Sequence, residues 1–138
     1  MQQFQDTARG IALTRAAEAM LRSLGGEEVT LLFPMSSLPD EPSAQLGLAD
    51  PGVDQVTIAP VIVRNLHREM NANRWQLEFL MPGSAVRSVM DSRHFTAADE
   101  FFESALGITY EGHLLRIQHF ETEFFAGTAY LYRVTAGE

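Results

Sequence analysis

The sequence predicts an α+β fold: an N-terminal helix, a mainly antiparallel β-sheet curled toward a barrel or sandwich, and one short helix inserted before the last strands. Apolar residues at helical spacing open the chain, and alternating apolar residues follow in its middle and at its end. A second helical pattern separates these two strand-rich parts. The length of 138 residues fits one compact domain, so we expect a single domain over residues 1–138.

The first helix is predicted over Thr7–Leu24. Its apolar residues fall at offsets that place them on one stripe, which consists of Leu13, Ala17, Met20, Leu21 and Leu24. Asp6 or Thr7 can cap the start of the helix, and Gly25-Gly26 ends it.

Three strands are predicted next, over Val29–Phe33, Val53–Leu66 and Arg74–Met81. The third strand alternates cleanly, and one of its faces consists of Trp75, Leu77, Phe79 and Met81. Pro60, inside the second strand, indicates an edge position or a bulge. We expect the second and third strands to pair as an antiparallel hairpin.

The C-terminal part is predicted to contain a helix, a short strand and a hairpin. The helix covers Thr96–Leu106, with Thr96 as its cap and a buried stripe of Ala98, Phe101, Phe102, Ala105 and Leu106. The strand begins at Ile108 and a tight turn follows at Glu111-Gly112. Ala126-Gly127 is the expected turn of the final hairpin.

A long Pro-rich loop is predicted at residues 34–52. Its prolines exclude a helix or a central strand there: Pro34, Pro39, Pro42 and Pro51. A connection of this length is uncommon inside a small domain and is usually either functional or disordered. Leu38, Leu46 and Leu48 give it apolar side chains to bury against a partner. The sequence leaves open whether the segment is such an interaction arm or only a floppy loop.

Composition excludes several classes of function. The chain has no cysteine, so disulfides, thiolate zinc sites and a cysteine nucleophile are ruled out. A net charge of −8 disfavours non-specific nucleic-acid binding, which depends on neutralising phosphates. The longest apolar run, Ile58–Val63, is far too short to span a membrane, and no basic signal region precedes it. We therefore expect synthesis in the cytoplasm, with neither a membrane nor a nucleic acid as partner.

Three arginines distinguish the first helix, because Arg9, Arg15 and Arg22 make its outer face basic in an acidic chain. Such a face is either solvated or docks an acidic partner. The chain contains arginine and no lysine. Two explanations are open: the base composition of the genome, or the suitability of arginine for protein interfaces. We take these three arginines, with the three leucines of the Pro-rich loop, as candidate partner-binding residues.

One candidate metal site lies on the predicted strand that starts at His113. If this strand is straight, its odd positions share a face, and His119, Glu121 and Glu123 are neighbours on it. An imidazole and two carboxylates can hold a metal ion. However, Leu115 and Ile117 make the same face apolar, and no second motif supplies further ligands. A solvated strand end is therefore the preferred interpretation, and no metal is predicted.

Two other polar clusters also have simpler explanations than catalysis. Asp91, Ser92 and His94 suggest a hydrolase, but no G-x-S-x-G pattern surrounds the serine, and turn hydrogen bonds account for these residue types. The acids Asp99, Glu100 and Glu103 favour the positive end of a helix dipole. We therefore predict no catalytic residue and no cofactor, and expect that the protein is not an enzyme.

A helix with an aromatic pair leads through a glycine into a strand that ends Leu-Arg-Ile, and the final hairpin returns as Tyr-Leu-Tyr-Arg-Val. The residues are Phe101-Phe102, Ala105 to Ile108, Gly112, Leu115 to Ile117, Gly127 and Tyr130 to Val134. This pattern resembles the small head–tail connector or tail-completion proteins of tailed bacteriophages and prophages. The resemblance implies a strand-rich barrel that assembles into a ring, with long loops that reach into neighbouring subunits.

Under this resemblance the chain is a structural assembly protein of a phage-like particle. It acts through protein–protein contacts as a homo-oligomer such as a ring, and its partners are other virion-type proteins. The alternative is a small-molecule-binding or catalytic α+β domain with an aromatic-lined pocket. That pocket would use Trp75, Phe79, Phe101, Tyr130 and His119, although periodicity already buries such aromatics in a core.

Overall fold

A computed structural model describes the backbone of residues 2–35, 52–66 and 76–138, and side chains from residue 8 onward within these ranges. In chain order the elements are α1 (Gln2–Ser23), β1 (Glu27–Pro34), β2 (Val53–Asn65), β3 (Gln76–Pro82), α2 (Gly83–Ser92), α3 (Ala98–Ser104), β4 (Gly107–Tyr110), β5 (His113–Phe125) and β6 (Thr128–Gly137). The predicted N-terminal helix and antiparallel sheet are therefore confirmed. Within these ranges, two helices, rather than one, lie between β3 and β4.

The six strands form a closed barrel in the order β1-β2-β3-β6-β5-β4, and each neighbouring pair is antiparallel. Closure leaves no edge strand. β2 pairs with β1 as far as Val61 and with β3 from Ile62, and the register of β1 shifts between Glu27 and Val29 opposite this point. Pro60 therefore lies at a bulge. β3 does not pair with β2 at this residue, because that pairing starts only at Ile62.

The core fills the barrel and continues into a cluster of aromatic rings below α3. Phe101 contacts Phe33 and Phe102 with ring centroids 5.1 and 5.0 Å apart, and Phe102 contacts Phe120 at 4.6 Å. Val86 and Met90 extend the same core from α2. Both sequence-predicted turns of the C-terminal part are confirmed, since Glu111-Gly112 and Ala126-Gly127 have the positive φ angles of hairpin turns.

α1 packs chiefly against β6 through a face that shares Ala17 and Leu21 with the predicted stripe. Its buried residues are Gly10, Thr14, Ala17 and Leu21, whereas Met20 and Leu24 are 58% and 67% exposed. The apolar stripe predicted from the sequence included Met20 and Leu24, which lie outside the contact. The contact is centred on the small residues at positions 10, 14 and 17, which let the helix approach the strand closely.

The ends of the helices also differ from expectation. α1 begins at Gln2, so Asp6 and Thr7 lie inside the helix rather than at its start. Its C-terminus is as predicted, because Gly25 N donates to Arg22 O and Gly26 N donates to Leu21 O, the two bonds of a Schellman motif.

The second predicted helix is shorter than expected. α3 starts after Ala97 without a side-chain cap, so Thr96 is not its cap. Leu106 is exposed instead of buried, and Gly107 begins β4. Among the described residues, no helix is long and apolar enough to cross a membrane.

Candidate interaction surfaces

The candidate metal ligands on β5 lie outside the barrel and form no metal site. The strand is not straight, because its register against β6 shifts between Ile117 and His119 and leaves Gln118 as an extra residue. The prediction that His119, Glu121 and Glu123 share a face with Leu115 and Ile117 is therefore wrong. Leu115 and Ile117 pack in or against the core, whereas the histidine and the two glutamates pair with outward residues of β6.

The outward residues of β5 and β6 interact with each other. Glu123 Oε1 lies 3.5 Å from Arg133 Nε, and His119 Nε2 lies 3.5 Å from Thr135 Oγ1. Within the described ranges, no group of three or more histidine, aspartate or glutamate side chains is placed to hold a metal ion.

The serine–histidine–aspartate cluster is a turn at the end of α2. Ser92 Oγ donates to Val89 O at 2.8 Å, and the His94 amide donates to Asp91 O. Asp91, Ser92 and His94 are all exposed. The structure therefore supports turn hydrogen bonding for these residues. Asp99 and Glu100 occupy the first turn of α3, as the helix-dipole interpretation expects. For Glu103 the interpretation is wrong, because this residue lies in the last turn, at the negative end of the dipole.

The aromatic residues of the alternative pocket do not line one cavity. Phe79 and Phe101 are fully buried in the core, Tyr130 is half-buried, and His119 is exposed on the outer side of β5. Trp75 lies outside the described residues. A groove of about 510 Å³ does exist beside α2 and the β5–β6 hairpin, but its aromatic lining consists of Phe95, Phe124 and Tyr132.

A different feature stands out on the barrel, namely a set of apolar side chains on the outer surface around the β1–β4 pairing; β1, the first residues of β2 and β5, and the residues next to β1 and β4 contribute them. Leu32 pairs with Gly107, and the side chain of Leu114 lies against the position that a Cβ of Gly107 would take. Pro34 pairs with Val53, and Met35 N donates to Gly52 O at 2.9 Å. We call this surface the β1–β4 face; it consists of Leu32, Pro34, Met35, Val53, Leu106 and Leu114.

The helices that the structure describes leave the β1–β4 face uncovered. Their main contacts with the sheet are with β2, β3, β5 and β6. Leu114 is 53% exposed and Met35 55% exposed, and Val53 and Leu106 are similarly open. Grouped apolar side chains of this kind mark interaction sites more often than isolated ones do. The sequence signal was available, because Leu31-Leu32 and Leu114-Leu115 place leucines on both faces of a strand.

α1 presents a second exposed surface, on the side away from the barrel. Its ridge consists of small residues, and one larger apolar residue lies on each flank. We call this surface the α1 outer face; it consists of Ala8, Ala12, Ala16, Ala19, Ile11 and Met20. The candidate arginines Arg9, Arg15 and Arg22 border this ridge and are all exposed.

The three arginines lie on both sides of the ridge instead of on a single face. At 3.6 residues per turn, Arg15 and Arg22 lie on one side of the helix and Arg9 roughly 120–140° away on the other. Arg22 pairs with Glu18 at 3.0 Å. Leu38, Leu46 and Leu48, the other candidate partner-binding residues, lie outside the described residues.

Comparison of the chain with models of known protein families, with curated proteins and with solved structures returned no match. The candidate sites are therefore defined by the chain's own geometry, which consists of a filled barrel and two exposed apolar surfaces.

Proposed function

We propose that this protein is a structural assembly protein of a phage-like particle, of the head–tail connector or tail-completion type. It acts by oligomerisation and by contacts with other virion-type proteins, and it performs no bond chemistry. The observation that carries the proposal is the uncovered, apolar β1–β4 face of the barrel.

The energetics of this face favour a protein partner. Full burial of one leucine-sized side chain is worth about 1.5–3 kcal/mol. Leu32, Leu106, Leu114 and Val53 lie close enough together for one partner to cover them, which would contribute enough to offset part of the entropy lost on association.

The Pro-rich segment supports the same proposal from the sequence. Its flanking residues Met35 and Gly52 are hydrogen-bonded at the end of the β1–β4 face. We propose that Leu38, Leu46 and Leu48 bind a neighbouring protein, as long loops do in the family that the C-terminal residues resemble. Arg9, Arg15 and Arg22 are proposed to bind an acidic partner surface.

Incorporation into particles tests the proposed function. The tagged chain is expressed together with the genes that surround its own gene, and particles are isolated by density sedimentation. We expect the chain in the particle fraction, and we expect the triple variant Leu38→Ser, Leu46→Ser, Leu48→Ser to remain in the soluble fraction. Ser37→Ala, Ser43→Ala and Gln45→Ala in the same segment form the control. Particles that assemble normally without the chain would contradict the proposal.

A ligand-binding function is the second candidate, because a groove of about 510 Å³ contains Phe95, Tyr132 and the charged residues Arg87, Asp91 and Asp99. A ligand in this groove raises the melting temperature by an amount that grows with the logarithm of its concentration relative to its Kd. A thermal-shift screen with a metabolite panel measures this, and Tyr132→Ala removes part of the groove wall. A ligand-induced shift that this variant abolishes would favour the second candidate over assembly.

A further inference from the structure

We propose that two copies of this chain associate head to tail, with the α1 outer face of one copy seated on the β1–β4 face of the next. This inference rests on the proposed assembly function and names the two surfaces that carry self-association. It follows from the position, the charge and the dimensions of these surfaces.

The two surfaces lie on opposite sides of the barrel. α1 packs chiefly on β6, and β6 is three strands away from β1 in either direction around the barrel. Different surfaces on opposite sides of one molecule cannot satisfy each other within a two-fold dimer. Such surfaces bind each other in a heterologous contact between successive copies. These contacts close into a ring when a whole number of the rotations between neighbouring copies makes one full turn.

The charges around the two surfaces are complementary. The α1 outer face is bordered by Arg9, Arg15 and Arg22, of which only Arg22 is paired within the described part of the chain. Exposed acids border the β1–β4 face, namely Glu28, Glu111 and, on the helix that leads through Leu106 to Leu32, Glu100 and Glu103. Asp99 of the same helix instead lines the groove beside α2 and the β5–β6 hairpin. Arg116 on β5 is the basic exception there. An α1-to-α1 contact would instead bring arginines together, which disfavours a symmetric pair.

The spacing of these charges also matches. Arg9 and Arg22 are separated along α1 by about 20 Å at the rise of a helix. The acids lie at the two ends of the β1–β4 face, with Glu28 at the start of β1 and with Glu100 and Glu103 on the helix whose following residue Leu106 is hydrogen-bonded to Leu32 near the end of β1. β1 spans about 20 Å between these ends at the rise of a strand. A helix laid along the face therefore places an arginine near each acidic end, with its alanine ridge over Leu32 and Leu114.

Complementation between two variants tests the proposal. Met20→Glu places a charge on the α1 outer face, and Leu114→Glu places one on the β1–β4 face; both side chains are exposed, so neither change removes core packing. We expect each variant alone to self-associate at least about tenfold more weakly than the wild type. A one-to-one mixture is expected to form a heterodimer that grows no further, since each variant retains one intact surface. Native mass spectrometry measures all species.

Phe124→Glu is the matched control. Phe124 is 67% exposed at the β5–β6 hairpin and belongs to neither surface, so this variant is expected to associate like the wild type. The inference is overturned if the wild type is monomeric up to its highest soluble concentration, if the two variants do not combine, or if Phe124→Glu prevents association. In each of these cases incorporation into particles remains a separate test of the proposed function.

Discussion

At the scale of single residues, Phe101 has the most central place in the core. It is fully buried, and its ring lies against Phe33, Phe95 and Phe102. These rings come from β1, the α2–α3 connection and α3, so one side chain joins three parts of the chain.

We expect Phe101→Ala to lower the free energy of unfolding by about 3–5 kcal/mol, because the barrel cannot collapse into the cavity that remains. Urea denaturation monitored by circular dichroism measures the change. Phe125→Ala is the control: that side chain is half exposed at the hairpin, and its loss is expected to cost about 0.5 kcal/mol or less. Equal losses for the two variants would show that the aromatic cluster is not the core.

Two tyrosines make stability depend on alkaline pH. Burial raises the pKa of Tyr132 above its ordinary value of 10.0, and Arg87 opposes this only in part. Burial and the Glu27 carboxylate raise the pKa of Tyr110. A raised pKa means that the folded state favours the neutral phenol. Its contribution to stability is therefore complete below pH 10.0 and is lost as the pH rises through the folded-state pKa.

We expect the free energy of unfolding to decrease as the pH rises above 10.0, and to decrease less in Tyr132→Phe. Urea titrations at several pH values measure this, and ultraviolet absorbance of phenolate reports the tyrosine ionisation directly. Tyr132→Phe keeps the ring and removes the ionisable hydroxyl, so a steeper alkaline loss in this variant would contradict the assigned direction.

At the scale of elements, the contact between α1 and β6 depends on a glycine. A Cβ at Gly10 would meet the side chain of Thr128 and lie close to the carbonyl of Phe125. In an isolated helix, replacement of an interior glycine by alanine is stabilising by about 1 kcal/mol, because alanine has the higher helix propensity.

We therefore expect Gly10→Ala to destabilise the protein despite the gain in helix propensity, and to expose α1 to limited proteolysis. Thermal unfolding and the rate of cleavage in α1 measure the two effects. Ala12→Gly on the exposed ridge is the reciprocal control, because it changes propensity without touching β6. A rise in melting temperature for Gly10→Ala would show that α1 does not pack on β6 as described.

The elements that the sequence predicted well are those fixed by local physics. The strands near Val29, Val53 and Leu77 and both C-terminal turns follow from alternation and turn chemistry, which act within a few residues. The buried side of α1 could not be predicted, because a wide apolar stripe does not show which half meets the barrel. The bulge at Gln118 is equally invisible, since the extra residue is defined only by its pairing with β6.

At the scale of the whole molecule, the closed barrel separates an interior from an outer surface in the described part of the chain. Every strand has two neighbours in the closed order, and side chains such as Phe79 and Val134 fill the interior. The helices then cover one side of the barrel and leave β1 and β4 open. The candidate ligands on β5 were recognisable from sequence, whereas the β1–β4 face required the order of strands around the barrel.

The β1–β4 pairing is the short seam that closes this barrel. It consists of three residue pairs, from Thr30–Thr109 to Leu32–Gly107, whereas β5 and β6 pair through nine. A short seam opens at a lower free energy than a long hairpin does, so the amides of Gly107 to Tyr110 should exchange with deuterium before those near Val134.

We expect self-association to slow exchange at this seam selectively, because a partner that binds only the closed barrel stabilises it by mass action. Hydrogen exchange with mass spectrometry over a concentration series measures the effect, and peptides from the β5–β6 hairpin are the internal control. Met20→Glu should abolish the concentration dependence without changing exchange in the monomer. Protection that rises equally in both regions would mean that association stabilises the whole fold and does not act through the β1–β4 face.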